Sequence, residues 1–294
     1  MKTATSLAET RSIIQQWRQF KHSTALVPTM GNLHAGHLAL VKRARAQANK
    51  VVVSIFVNPT QFAPGEDYRS YPRTESEDAA LLREAGVDLL FMPTAADMYP
   101  PGTQTRIHVG DLANILCGAS RPGHFDGVAT VVAKLFNIIQ PDQAYFGLKD
   151  YQQWQVINAL VQDLNLPIAL HSVATLREPD GLAMSSRNTY LTDSQRQIAP
   201  ILWQTLSNIA QTLAEGQRDY STIAQQGSQR LTQAGFEVDY VDIREAASLA
   251  PATDAATDKI ILAAAKLGQA RLIDNLLCPA PSWTQPHNDN KQEE

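Results

Sequence analysis

Apolar positions along the first half of the chain follow two alternating rhythms. Short apolar runs at 24–28, 51–57, 88–92, 143–146 and 168–175 predict β-strands. Between them, apolar and small residues recur at helical spacing over 3–20, 36–49, 74–85, 127–140 and 149–164, which predicts helices. The run Val51-Val52-Val53-Ser54-Ile55-Phe56-Val57 has almost no polar face, as expected of a parallel strand covered on both sides. Strand and helix in alternation predict an α/β fold, a Rossmann-like doubly wound parallel sheet. Its ligands belong at the carboxyl ends of the strands.

From about residue 180 the order changes. Helical patterns at 193–214 and 219–234 precede strand candidates at 237–243, 259–265 and 270–277, which predicts a second, smaller α+β domain. The turn-forming triplet Pro179-Asp180-Gly181 marks the boundary. The expected parts are residues 1–179, residues 180–278, and a polar, proline-bearing tail over 279–294 expected to be disordered. Residues 93–126, punctuated by Pro93, Pro100, Pro101, Gly102, Pro122 and Gly123, break the alternation and form the kind of excursion that carries binding residues.

Composition narrows the function classes. With 294 residues, 44% hydrophobic and 18% charged, the chain can build two cores. A formal net charge of −4 gives no general affinity for polyanions, so no nucleic-acid partner is expected. Cys117 and Cys278 are too few and too far apart for a disulfide framework, which fits a reducing compartment. Glu9, Gln15, Gln16 and Arg18 interrupt any signal-peptide apolar region, and the run 51–57 is too short to cross a bilayer. The expectation is a cytoplasmic protein with no membrane partner.

Four segments carry candidate chemistry. In Pro28-Thr29-Met30-Gly31-Asn32-Leu33-His34-Ala35-Gly36-His37, a strand runs through a turn onto a helix start. Helix starts present unpaired N–H groups, so anions collect there, and histidines three apart can face one ligand. An i, i+3 histidine pair is also a zinc pattern, but zinc normally takes three or four ligands and the cysteines give no metal spacing. The second segment, Asn58-Pro59-Thr60-Gln61-Phe62, puts two amides at a strand end, or is a plain Asn-Pro turn. The third, Phe146-Gly147-Leu148-Lys149-Asp150-Tyr151-Gln152-Gln153, offers backbone access at Gly147, an ammonium at Lys149 and a capping carboxylate at Asp150. It reads equally as a capped surface helix. The fourth, Gly181-Leu182-Ala183-Met184-Ser185-Ser186-Arg187-Asn188, is a hydroxyl-rich loop ending in arginine, or a linker.

Taken together, and with Tyr71-Pro72-Arg73, these segments resemble the pantoate–β-alanine ligase (pantothenate synthetase) family from about Thr24 to Leu191. That family belongs to the nucleotidyltransferases with an HxGH signature. The resemblance implies ATP-dependent condensation of pantoate with β-alanine through a pantoyl adenylate, with Mg²⁺, and commonly a homodimer. It implies that Met30, Gly31, Asn32, Leu33, His34, Ala35, Gly36 and His37 bind ATP, with His37 as proton donor and His34 on the phosphates. Gly147, Leu148, Lys149 and Asp150 would contact ATP, Lys149 at the phosphates and Asp150 at the ribose. Leu148 stands where the family usually has a polar residue, so that position acts through its backbone. Leu176 would meet adenine through its backbone, and Met184, Ser185, Ser186 and Arg187 would complete the phosphate clamp. Gln61 would bind pantoate and β-alanine, Gln153 pantoate, and Asn58 would help place them, with Arg121 and His124 nearby. Glu77 and Asp78 fall where some members have paired acids linked to Mg²⁺, or form a solvated helix start, so the metal ligands stay open. The alternative is a nucleotidyltransferase acting on a phosphorylated acceptor. It calls for more clustered cations than Lys149, Arg121 and Arg187 provide.

Overall fold

The computed structural model of the chain describes residues 1–255 and 258–278; the tail expected over 279–294 lies outside the described residues. By its contacts the chain forms two compact units. One holds Met1–Glu178 and Ala183–Ser186; the other holds Pro179–Leu182 and the described residues from Arg187 to Cys278.

The first unit is built on six strands: β1 (Lys2–Ala4), β2 (Thr24–Thr29), β3 (Lys50–Ile55), β4 (Leu89–Phe91), β5 (Gln143–Gly147) and β6 (Ala169–Val173). All are parallel, in the order β1-β4-β3-β2-β5-β6. The chain lays β3 and β4 on one side of β2, then returns to place β5 on the other. The reversal of winding therefore lies between β2 and β5, and their carboxyl ends open the crevice where doubly wound sheets bind ligands.

Side-chain alternation explains why this sheet takes two layers of helix. Leu26, Val52 and Ala144 join one core with residues of helices Leu7–Gln19, His124–Ile139 and Tyr151–Asp163. Their neighbours Ala25, Val27, Val51, Val53 and Tyr145 join another with helices Ala35–Arg45 and Glu75–Glu84. Strands that are apolar at every position are what such a doubly covered sheet needs. Leu26 is fully buried, so truncating it to alanine would cost about 2–5 kcal/mol.

In the second unit, β7 (Glu237–Glu245), β8 (Lys259–Leu267) and β9 (Ala270–Cys278) form an antiparallel sheet. Leu202, Leu206 and Ile209 of helix Ile201–Ala214 and Leu231 of helix Tyr220–Gln233 pack on Ile243, Ile261 and Ala263. The observed architecture is thus the expected doubly wound sheet accompanied by a smaller α+β unit.

Two local expectations fail for definite reasons. The helix expected over 3–20 starts at Leu7, capped by the Ser6 hydroxyl, which accepts from Glu9 N at 3.2 Å. Residues 2–4 instead form edge strand β1 against β4. Three residues are too few for strand alternation to register. The helix expected over 193–214 is two, Asp193–Ile198 and Ile201–Ala214, because Pro200 has no N–H to continue the first.

Candidate active site

The turn after β2 is held from below by a carboxylate. Asp78, in the first turn of helix Glu75–Glu84, is almost wholly buried. Its Oδ2 accepts from Asn32 N at 2.9 Å and its Oδ1 from Leu33 N at 2.8 Å. Asn32 needs the support, having a left-handed φ of 50°. Gly31 also has a positive φ, and a Cβ there would stand 3.1 Å from Asp78 Oδ2. On its other side the Asn32 carbonyl accepts the Ser186 hydroxyl at 2.9 Å.

The two histidines then cap the helix reciprocally. His34 is the N-cap; its Nδ1 accepts from Gly36 N at 3.1 Å, and His37 Nδ1 accepts from His34 N at 3.3 Å. The rings lie 4.1 Å apart between centroids. This corrects the expectation of open backbone donors. The N–H groups of Gly31, Asn32, Leu33, His34, Gly36, His37 and Leu38 all have acceptors inside the protein. Because each Nδ1 is an acceptor, the proton of each neutral ring sits on Nε2. Each ring therefore keeps an Nε2–H donor that the cap does not use.

Both imidazoles are held neutral. Burial, with the nearby Lys149 charge, lowers His34 to about 4, against an opposing pull from Asp150. Burial, then His34 and, less strongly, Lys149, lower His37 to about 3, with Asp150 again opposing. Helix N-termini favour neutral imidazole for the same electrostatic reason. These influences place the β5 junction within electrostatic reach of the β2 junction. The strand register agrees, with Ala25 opposite Gln143 and Leu26 opposite Ala144.

At the end of β5, Leu148–Asp150 make one 3₁₀ turn before helix Tyr151–Asp163. A Cβ on Gly147 would meet no atom within 4 Å, so the protein itself leaves that space open. Asp150 stands at the helix N-cap without a side-chain capping bond. The adjacent glutamines divide their work. Gln152 is buried and spent: its Oε1 accepts from Cys117 N at 3.0 Å, and its Nε2 donates to Leu112 O at 2.9 Å and Ile115 O at 2.8 Å. Gln153 is half-buried, and no described residue engages its amide.

The third wall follows β3. Asn58 is 1% exposed and fully used. Its Nδ2 donates to Gln61 Oε1 and to Gly127 O, each at 3.1 Å, and its Oδ1 accepts from Tyr99 OH at 2.8 Å and Thr60 Oγ1 at 2.9 Å. It therefore fixes the Gln61 amide, whose Nε2 lies 3.2 Å from Met30 Sδ, and has no polar group left for a ligand. Gly127 permits this packing, since a Cβ there would lie 2.3 Å from Thr60 O. Arg121 grips Glu66 with two bonds, Nε to Oε1 at 2.6 Å and Nη2 to Oε2 at 2.7 Å. His124 Nδ1 donates to Gln61 O at 2.7 Å and its Nε2 accepts from Arg121 Nη1 at 3.0 Å, so that ring is neutral too, lowered by burial and then Arg121 to about 4.

The remaining expected residues come from the loop after β6. Leu176 is 40% exposed, and its carbonyl accepts from Met184 N at 2.9 Å. Ala183–Ser186 pack with the first unit, while Arg187 groups with the second. Ala35 and Glu77 are exposed. Among the described residues no three His, Cys, Asp or Glu side chains gather as a metal cage, and both Asp78 oxygens are occupied. Sequence reasoning passed over Gln152, Glu66 and Tyr99. A glutamine pair signals nothing about which member faces inward, and the other two join through contacts distant in sequence.

Comparison with known proteins bears on what this arrangement does. Residues 2–277 match the family model described as pantoate-beta-alanine ligase. A pantothenate synthetase of Azotobacter vinelandii is 55% identical over 94% of this chain and 98% of its own length. One from Pseudomonas fluorescens is 53% identical over 94% and 97%. Among solved structures, pantothenate synthetase from Thermus thermophilus superposes with a TM-score of 0.89 at 46% identity, covering 94% of this chain and 99% of that one. The Francisella tularensis pantoate-beta-alanine ligase, complexed with beta-gamma ATP and beta-alanine, gives 0.82 at 36% identity, covering 96% and 99%.

Proposed function

The chain belongs to the pantoate–β-alanine ligase family, and from that premise we propose how its own residues carry the reaction. The protein is a ligase that condenses pantoate with β-alanine in an ATP-dependent reaction. In our reading the reaction has two halves. A pantoate carboxylate oxygen attacks the α-phosphorus of MgATP, the bond to the bridging oxygen breaks, and pyrophosphate leaves with the electron pair. The β-alanine amine then attacks the acyl carbon of the pantoyl adenylate. The carbon–oxygen bond to phosphate breaks, AMP leaves and the amine gives up a proton.

Such a displacement asks the protein for alignment and charge compensation rather than covalent help. His34 and His37 meet the growing charge on phosphoryl oxygens with Nε2–H bonds, and Lys149 supplies the positive charge. His37 acts as a neutral donor and not as the expected proton donor. Making it cationic would put a proton on Nδ1, where it accepts from His34 N. Asp150 holds the ribose, the N–H of Leu176 faces adenine, and Met184–Arg187 close on the phosphates. Gln61 and Gln153 hold the organic substrates beside Arg121, and Asn58 acts through Gln61.

One observation carries this reading. The two strand-end junctions flanking the reversal of winding, after β2 and β5, are close enough for Lys149 to shift both imidazoles. Exchange of labelled pyrophosphate into ATP tests it. Exchange should require pantoate and proceed without β-alanine, and AMP should accumulate only when the amine is added. Sustained nucleotide transfer to a phosphorylated acceptor would replace this reading with a transferase. A homodimer, checked by sedimentation velocity, and a cytoplasmic location, checked by fractionation, complete the proposal.

A further inference from the structure

The buried Asp78 carboxylate has no place in the chemistry just described, yet it accepts from two consecutive N–H groups of the ATP-binding turn. We infer that Asp78 is a positioning residue for nucleotide binding, acting through the Asn32–Leu33 backbone to orient His34 and His37, and that it is not a metal ligand. The inference rests on the ligase reading above.

Three features support it. The Asn32 and Leu33 amides are consecutive and converge on one side chain, at 2.9 and 2.8 Å from different oxygens. Only a carboxylate offers two equivalent acceptors at that reach; an amide would turn an N–H toward one of the donors. Second, Asn32 sits at φ 50°, a conformation held only when its surroundings over-determine it. Asp78 bonds its N–H and Ser186 its carbonyl, so the Asn32 backbone is pinned at both ends. Third, the residue that follows Leu33 is His34, the extended N-cap at φ −136° and ψ 175°, whose ring and N–H close the cap with Gly36 and His37. Rotating the Asn32–Leu33 segment would swing both Nε2–H groups. A negative charge so near a polyanion site works against ATP unless hydrogen bonds absorb it, and the two amides do so. Each Asp78 oxygen spends one of its lone pairs on an N–H group.

The test is Asp78→Asn, with steady-state kinetics in all three substrates. Hydrogen bonds to a charged acceptor are strong enough that KM for ATP should rise about 10- to 100-fold, while KM for pantoate and β-alanine changes less than about threefold. The Mg²⁺ concentration for half-maximal activity, at fixed MgATP, should be unchanged. A raised Mg²⁺ requirement, or rescue by excess Mg²⁺, would make Asp78 a metal ligand and overturn the inference. So would equal effects on all three KM values. Should the variant fail to fold, the unaltered protein still decides. The Asn32 and Leu33 amides should resist hydrogen exchange, and the Asp78 carboxyl ¹³C resonance should not move on adding Mg²⁺ alone. Fast exchange or a metal-induced shift refutes the proposal. Loss of pantoate-dependent exchange in the wild type would instead sink the ligase reading.

Discussion

Replacing Gly36 by alanine separates the role of the histidine cap in folding from its role in catalysis. A Cβ at this position would lie 2.9 Å from both Cε1 and Nδ1 of His34, so the ring must move by several tenths of an ångström. That movement breaks the Gly36 N to His34 Nδ1 bond and redirects Nε2–H. Loss of the cap costs about 1 kcal/mol, and alanine returns about 1 kcal/mol of helix propensity. Thermal stability should therefore hardly change. Activity should fall about 10²- to 10³-fold, the usual effect of losing one well-placed donor to a transition state, about 2.7–4 kcal/mol. A double-mutant cycle on kcat/KM is the assay. His34→Ala should lose a similar factor, and the His34→Ala/Gly36→Ala double variant should be no worse than His34→Ala, because the clash has gone with the ring. Additive losses, or a stability loss matching the activity loss, would refute the reasoning.

Lys149→Ala should reduce adenylate formation by about 10²–10³-fold; single-turnover pyrophosphate release measures it, and an unaffected rate would remove Lys149 from the mechanism. Acid should destabilise the fold through its neutral histidines. Their folded pKa values of about 3 for His37 and about 4 for His124 lie below the unfolded value of 6.5, so the unfolded chain binds protons first as pH falls. The loss begins near pH 6.5 and amounts to about 2 kcal/mol per histidine at pH 5. In urea unfolding, His37→Asn should remove about 2 kcal/mol of that pH-dependent loss, and an unchanged loss would contradict the assignment. Gln152→Ala should lower stability by about 2–4 kcal/mol, because its bonds to Cys117 N, Leu112 O and Ile115 O are all lost. Gln153→Ala should leave the melting temperature in place and raise KM for pantoate; the opposite pattern would exchange their roles.

What could be read in advance divides along physical lines. Strands such as 51–57 and helices at 3.6 spacing declare themselves, because burial on a doubly covered sheet leaves few alternatives. The motifs at 28–37 and 147–150 were legible as strand-end junctions, since glycine, histidine and lysine there have chemical meaning. Their adjacency was not, because the order β3-β2-β5 depends on long-range pairing. The occupation of the backbone donors at 31–34 and 36–38 was hidden for the same reason. It depends on Asp78, more than forty positions away, and on imidazoles that turn back onto their own helix. The family resemblance gives Asn58 a part in placing the substrates, where the residues alone read equally as an Asn-Pro turn; in the structure Gln61, Gly127, Thr60 and Tyr99 engage its amide.

The central claim is that the junctions after β2 and β5 close on one triphosphate. A crystal structure of the ATP complex tests it most directly. The account predicts phosphate oxygens within hydrogen-bond reach of the Nε2 atoms of His34 and His37 and of Lys149 Nζ together. A nucleotide whose phosphates meet only one of the two junctions would contradict it.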